Sequence, residues 1–125
     1  MNIVGIGVDI VEVERLSAAS ARHGKPFLDR IFTEAEITAC GIRPERLAAR
    51  FAAKEAVAKA FGTGIGADMA FRDIEVVNEP SGRPRIVLHG AAAATAESRR
   101  VKEIHLSLSH TATHAIAQVV IVSDA

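Results

Sequence analysis

Along this chain, some segments alternate hydrophobic and polar residues with a period of about two, and others repeat hydrophobic residues every three to four positions. The succession of these segments predicts the order of strands and helices. Strands are predicted where β-branched residues recur at short spacing, and helices where apolar residues return every three to four positions. A capping box, Thr33 to Glu36, opens the third helix. Pro44 opens the longest helix, and Gly62 closes it. The predicted helices are residues 14–23, 27–30, 33–40, 44–61 and 91–100.

The remaining segments predict the strands, and their order indicates the fold class. The predicted strands are residues 2–13, 71–77, 85–88, 104–109 and 115–122. Residues 78–84 form a turn rich in Pro and Gly, so 71–88 is predicted to be a hairpin. This order predicts an α+β fold, with a mostly antiparallel sheet packed against one long helix, in a single domain spanning residues 1–125.

Composition narrows the class of protein. The chain has 125 residues, 49% hydrophobic and 24% charged, with zero net charge, which favours a globular domain over a polyanion-binding one. All aromatic residues are Phe, so a stacking platform for nucleic acid is not expected. Cys40 is the only cysteine, which excludes an intrachain disulfide. The chain begins without a signal-peptide pattern and has no apolar run of about 20 residues, so we expect a cytoplasmic protein without a membrane span.

Asp9 is unusual because it interrupts an apolar strand. Side chains alternate along a strand, so Asp9 shares a face with Gly7 and Val11. An ionised carboxylate among apolar neighbours needs a cation or hydrogen-bond donors. Two interpretations stay open at this point: Asp9 accepts backbone hydrogen bonds at a bend, or it holds a cation.

The longest helix carries a second acidic candidate. Glu55 and Lys59 are four residues apart and therefore lie one above the other. Ala48 and Ala52 continue that face with small side chains, which would let a ligand or another chain approach closely. The simpler interpretation is an exposed helix ion pair worth about 0.3–0.5 kcal/mol.

A second row on the same helix is basic and consists of Arg46, Arg50 and Lys54. A solvated face is the usual explanation for such a row. Residues 62–66 are rich in glycine but follow the helix, whereas a P-loop precedes one and ends in Gly-Lys-Ser/Thr. A P-loop nucleotidase is therefore excluded, and the glycines form either a helix cap or a flexible loop.

The segment Ser107 to Thr111 reads Ser-Leu-Ser-His-Thr at a predicted strand end. Its Ser and His suggest a hydrolase, but no G-x-S-x-G elbow is present, and adjacent strand residues point apart. Hydrogen-bond donors, including donors to a phosphate, are the more common use of such a cluster.

Taken together, three segments resemble the bacterial holo-acyl-carrier-protein synthase family over essentially the whole chain. Residues 5–15 resemble its G-I-G-x-D-I-V-E-x-x-R opening, and residues 50–64 resemble its R-F-A-A-K-E-A-x-x-K-A-x-G-T-G helix. Residues 107–111 resemble its S-x-S-H-T strand end. The chain departs from the pattern at His114, where the family usually has an aromatic residue, mostly Tyr.

The resemblance implies transfer of 4′-phosphopantetheine from coenzyme A to a serine of apo-acyl carrier protein, a step in fatty acid biosynthesis that releases adenosine 3′,5′-bisphosphate. It implies Asp9 and Glu55 as ligands of Mg²⁺, which prefers carboxylate, phosphate and water oxygens. Glu55 and Lys59 would be catalytic, with Lys59 neutralising charge on the pyrophosphate. The base stays open between a metal-bound water and Glu55 acting through a water. The implied coenzyme A contacts are Arg50, Lys54, Lys59, His110, Gly62 and Gly64.

The resemblance also implies a homotrimer with sites at subunit interfaces, formed through the apolar sheet and the Ala48/Ala52 face. An acidic carrier protein calls for a basic docking surface, for which Arg15, Arg22 and Lys25 are candidates. Two other functions stay open: a metal-dependent phosphohydrolase acting on coenzyme A or a nucleotide, and a trimeric module that binds coenzyme A without chemistry.

Overall fold

The computed structural model describes residues 1–41 and 43–124. Five strands and five α-helices occur in these ranges, together with one 3₁₀ turn, Phe71–Asp73. In chain order they are β1 Asn2–Glu12, α1 Val13–His23, α2 Lys25–Ile31, α3 Glu34–Cys40, α4 Pro44–Phe61, β2 Ile74–Asn78, β3 Pro84–Leu88, α5 Gly90–Ser98, β4 Val101–His110 and β5 His114–Ser123. None of the helices in these ranges is long and apolar enough to cross a membrane.

The strands form two antiparallel sheets, which confirms the predicted α+β class. The larger sheet has the order β1-β5-β4, and the smaller sheet is the predicted β2–β3 hairpin. The predicted strand at 71–77 begins later than expected, since Phe71–Asp73 forms a 3₁₀ turn. Strand β4 begins three residues earlier than predicted, because Val101 already pairs with Ser123 at the end of β5.

Helix α4 packs against β1 and β5 and is buried on nearly every side. Its alanines allow this, because small side chains let the sheet and the other helices approach the helix axis closely. Ala48 and Ala52 are fully buried in the protein's own core. The expectation that these two residues form a surface for another chain is therefore wrong.

Two glycines of β1 set the distance between strand and helix. A Cβ atom at Gly5 would lie 1.9 Å from the carbonyl oxygen of Ala60, and one at Gly7 would lie 1.9 Å from that of Ala56. These glycines occupy the same face of β1 as Asp9, because side chains two residues apart point the same way. The close packing of backbone on backbone therefore brings Asp9 directly to the surface of α4.

The opposite face of the larger sheet remains uncovered in the single chain. Ile6, Val8 and Ile10 of β1 are 54–65% exposed, and Ile116 of β5 beside them is 40% exposed. The residues that alternate with these along β1 are less exposed, because successive side chains of a strand point to opposite faces and theirs face α4. Exposed apolar strips of this kind are typical of interaction surfaces.

Candidate functional site

Asp9 and Lys59 form the centre of the candidate site. Lys59 Nζ donates to Asp9 Oδ1 over 2.7 Å and to the carbonyl oxygen of Val8 over 3.3 Å. The Asp9 side chain is 16% exposed, and that of Lys59 is 52% exposed. Lys59 thus contacts the first strand, and the i, i+4 ion pair with Glu55 considered from sequence is not formed in the described structure.

Glu55 lies beside this pair, and the charges of Asp9 and Lys59 both shift the pKa of its carboxyl group. Burial raises the pKa of its carboxyl group, and the neighbouring negative charge of Asp9 raises it further, while Lys59 partly opposes the shift. Both carboxylates line one open cavity of about 570 Å³ between β1, α1, α2 and α4. The cavity is lined by Asp9, Ile10, Val11, Glu12, Arg15, Leu16, Ala19, Phe27, Phe51, Glu55, Lys59 and His114.

The two carboxylates fit a hard divalent cation. Burial first, and then the negative charge of Asp9, raise the pKa of Glu55, and a bound cation would relieve the repulsion between the two carboxylates. The described residues contain no group of three or more His, Cys, Asp or Glu placed to hold a metal. Magnesium suits such a sparse site, because it commonly takes one or two carboxylates and completes its shell with substrate phosphates and water.

Lys54 does not belong to this site, and its predicted contact with phosphate is corrected by the structure. Its side chain is fully buried, and Nζ donates to Glu36 Oε1 at 2.8 Å, to the carbonyl of Phe71 at 2.9 Å and to that of Ile74 at 2.6 Å. Glu36 is equally buried and also accepts the backbone N–H of Val76. All three ammonium donors are therefore used, and Lys54 joins α4 to α3 and β2.

Arg50 is also buried, so the predicted solvated row is wrong for two of its three members. Arg50 is 5% exposed, whereas Arg46 is exposed. Nε of Arg50 has no hydrogen-bond partner among the described residues. Burial raises the pKa of the nearby Cys40 thiol, and the positive charge of Arg50 opposes that shift. Arg50 therefore lies beside the buried Cys40 and does not line the cavity that holds Asp9 and Glu55.

The remaining predicted contacts lie outside the cavity. His110 ends β4, where it pairs with Ala115, and β5 separates it from β1. Strand β4 is therefore two strand spacings, or about 10 Å, from β1. Gly62 caps α4 in the left-handed conformation with φ of 78°, and Gly64 follows at 66°. Neither glycine nor His110 lines the cavity that holds Asp9 and Glu55.

Comparison with known proteins decides the family. The family model described as the 4′-phosphopantetheinyl transferase superfamily matches residues 5–119. The chain belongs to this superfamily. It is 48% identical over 122 residues to a holo-acyl-carrier-protein synthase of Koribacter versatilis, covering 95% of this chain and 98% of that relative.

Solved structures of phosphopantetheinyl transferases have the same fold. A holo-acyl-carrier-protein synthase from Neisseria meningitidis matches with a TM-score of 0.91 at 35% identity, covering 98% of this chain and 100% of that one. The Helicobacter pylori synthase, solved in complex with coenzyme A, matches with a TM-score of 0.87 at 34% identity, covering 94% of this chain and 99% of that one. The family and the fold class predicted from sequence are confirmed.

Two cavity residues of this transferase were not placed in the site by sequence reasoning. His114 was noted only as a departure from the family pattern, and Arg15 only as part of a docking surface. The structure brings both to the wall that Asp9 and Glu55 share. No pattern in the sequence indicated the position of His114. It lies beside Glu12 because of the register between β1 and β5.

Proposed function

We propose that this cavity transfers 4′-phosphopantetheine from coenzyme A to a serine hydroxyl of apo-acyl carrier protein. The observation that carries the proposal is the meeting of Asp9, Glu55 and Lys59 in one cavity of a phosphopantetheinyl transferase fold. In this reaction the serine oxygen forms a bond to the β-phosphorus of coenzyme A. The bond from that phosphorus to adenosine 3′,5′-bisphosphate breaks, and the bisphosphate leaves with the bonding electron pair.

Asp9 and Glu55 are the residues that would hold Mg²⁺ in this cavity. When bound, magnesium supplies charge neutralisation at the pyrophosphate, which phosphoryl transfer requires. Lys59 adds a half-exposed ammonium beside Asp9, from where it would balance charge on the departing bisphosphate. Glu55, acting through a water, is the cavity's own candidate for accepting the serine proton, because its carboxylate lines the same cavity as Asp9 and Lys59.

Coenzyme A would extend beyond this cavity to residues supplied by a second copy of the chain. Arg50 is buried and does not line the cavity, so its phosphate contact stays a prediction. His110, Gly62 and Gly64 lie away from Asp9, so we assign them to the site that a neighbouring subunit completes. The exposed strip of Ile6, Val8, Ile10 and Ile116, which a homotrimer of single-domain chains would bury, supports this assembly.

The acidic carrier protein would dock along α1. Arg15, Arg22 and Lys25 are all exposed, and Arg15 reaches the cavity wall itself. Lys25 is already paired with Asp29 at 2.8 Å, so its charge is less available to a partner than those of the two arginines. Such a surface steers an acidic partner towards the reacting groups. A cytoplasmic location, where the carrier protein and coenzyme A would be found, stays part of the proposal.

The test is to incubate the protein with coenzyme A, Mg²⁺ and an apo-carrier protein, and to measure the carrier by mass spectrometry. We expect a mass gain of one phosphopantetheine that depends on Mg²⁺. Bisphosphate release without any gain on the carrier would instead support a phosphohydrolase.

Glu55→Gln separates an enzyme from a module that only binds coenzyme A. Its matched control is Glu97→Gln, the same change on the exposed surface of α5. The first variant should lose transfer while it keeps its fold, and the control should retain transfer. Unchanged transfer by Glu55→Gln would refute the assignment of the acidic pair.

A further inference from the structure

The ammonium group of Lys59 contacts an oxygen that a divalent cation at the acidic pair would also use. Lys59 Nζ donates to Asp9 Oδ1 at 2.7 Å, and Asp9 is one of the two carboxylates proposed to hold Mg²⁺. A metal ion binds carboxylate oxygens, and its positive charge repels an ammonium group held at the same carboxylate. Lys59 and a cation at Asp9 therefore compete for one side chain.

Lys59 is the member of this pair that can move. The Asp9 side chain is only 16% exposed, and it stands on a strand whose neighbouring glycine, Gly7, packs directly against the backbone of Ala56. The Lys59 side chain is 52% exposed, and its other contact, with the carbonyl oxygen of Val8, is longer at 3.3 Å. A lysine carries its charge on a flexible four-carbon chain. The ammonium can therefore leave Asp9 without any movement of the backbone.

An ammonium released from Asp9 needs another anion. Glu55, the second acid beside Lys59, would be engaged by the same cation. Glu12 is the remaining carboxylate among the described residues that line the cavity, and it lies three residues beyond Asp9 on β1, a distance of about 10 Å. A phosphate of coenzyme A would enter this cavity and accept the ammonium in a charge-assisted hydrogen bond. Release of Lys59 is therefore favourable when coenzyme A is present and costly when it is absent.

We propose that Lys59 couples the binding of metal to the binding of coenzyme A, by exchanging Asp9 for a substrate phosphate. The inference rests on the proposed transfer reaction and deepens it. Without coenzyme A, Lys59 lowers the affinity of the acidic pair for a divalent cation, because the cation must displace the ammonium. With coenzyme A, the phosphate takes the ammonium and frees Asp9. Each ligand therefore raises the affinity for the other by the same factor.

The experiment titrates the protein with Mn²⁺, which prefers the same oxygen ligands as Mg²⁺ and can be counted as the free ion by electron paramagnetic resonance. Lys59→Met removes the ammonium and keeps an unbranched side chain that suits a helix. Lys59→Arg keeps the positive charge. In the absence of coenzyme A, we expect Lys59→Met to bind Mn²⁺ at least about threefold more tightly than the wild type, and Lys59→Arg to bind it like the wild type.

Lys102→Met is the matched control. It removes a half-exposed lysine that lies 3.9 Å from Asp124 and does not line the cavity, so it should leave the Kd for Mn²⁺ unchanged. The titrations are repeated with saturating coenzyme A, after subtraction of the Mn²⁺ that coenzyme A binds without protein. Coenzyme A should tighten Mn²⁺ binding to the wild type by a larger factor than it tightens binding to Lys59→Met.

Three results would overturn the inference. If Lys59→Met binds Mn²⁺ no more tightly than the wild type without coenzyme A, Lys59 does not compete with the cation. If coenzyme A tightens Mn²⁺ binding equally in both proteins, Lys59 does not carry the coupling. If Lys102→Met binds Mn²⁺ as tightly as Lys59→Met, the effect belongs to net charge and not to the contact with Asp9.

Asp9→Asn and the transfer assay separate this inference from the function on which it rests. If the wild type modifies the carrier and Asp9→Asn weakens Mn²⁺ binding, but Lys59→Met does not tighten it, only the inference fails. If Asp9→Asn binds Mn²⁺ like the wild type, the acidic pair does not hold the metal, and the inference fails with that assignment. If the wild type modifies no carrier, the transfer reaction itself fails.

Discussion

Replacing Gly7 by alanine should separate β1 from α4 and impair the site without altering any catalytic side chain. The new Cβ would lie 1.9 Å from the carbonyl oxygen of Ala56, whereas ordinary contacts begin at 3.4 Å. The strand and the helix must therefore move apart locally by about 1.5 Å. Forcing a methyl group into such a tight contact typically reduces stability by about 1–3 kcal/mol.

The displacement matters because Asp9 is the next residue on the same face of β1. Its carboxylate would move relative to Glu55 and Lys59 on α4, and a shift of about 1 Å at a catalytic site can lower the rate about a hundredfold. We expect Gly7→Ala to need more Mg²⁺ for half-maximal transfer and to lose about 10- to 100-fold in kcat. The assay is transfer to the carrier over a range of Mg²⁺ concentrations, at a temperature where circular dichroism shows the variant folded.

Gly82→Ala is the matched control for lost stability. Gly82 lies in the β2–β3 turn with φ of 91°, and a Cβ there meets nothing within 4 Å. The variant should be destabilised by backbone strain of about 1–2 kcal/mol, but it should keep its activity and its magnesium dependence. If Gly7→Ala is folded and as active as Gly82→Ala at every Mg²⁺ concentration, the close approach of β1 to α4 does not position Asp9.

Three further predictions concern the ionised groups and the exposed sheet face. Glu55→Gln should lower transfer at least about a hundredfold, yet raise the melting temperature of the metal-free protein at neutral pH. The sign follows from the raised pKa: the folded state favours the protonated carboxyl, so this group's contribution to stability is present below the unfolded pKa and is lost as pH rises through the folded pKa. A lower melting temperature for the variant at pH 7 would contradict this. Lys54→Met should reduce the free energy of unfolding by about 3–5 kcal/mol in urea titrations, because Glu36 is left charged and buried without its partner. The double variant that also carries Glu36→Gln should regain part of this loss. A single variant as stable as the wild type would disprove the role of the pair. Ile6→Asp should make the proposed homotrimer sediment as a monomer, and a variant that still sediments as a trimer would show that the subunits meet elsewhere.

The sequence alone determined much of the local structure and the need of Asp9 for a partner. The capping box of Thr33 and Glu36 forms as predicted, and Gly62 ends α4 in the left-handed conformation. Asp9 interrupts an apolar strand and therefore needs either a cation or hydrogen-bond donors, and the structure supplies the ammonium group of Lys59. These features could be predicted because each depends on residues close in sequence or on the desolvation of a single charge.

Only the tertiary structure decided which side of α4 is buried and by what. Helical spacing groups Lys54 with Arg46 and Arg50, but it does not reveal that α3 and β2 cover that side and surround the ammonium with three acceptors. The same limit applies to Ala48 and Ala52, whose small side chains suit a subunit interface and an internal contact equally well. Periodicity describes positions along one element, whereas burial depends on the elements packed against it, which are distant in sequence. His114 joins the cavity for the same reason, through the register between β1 and β5.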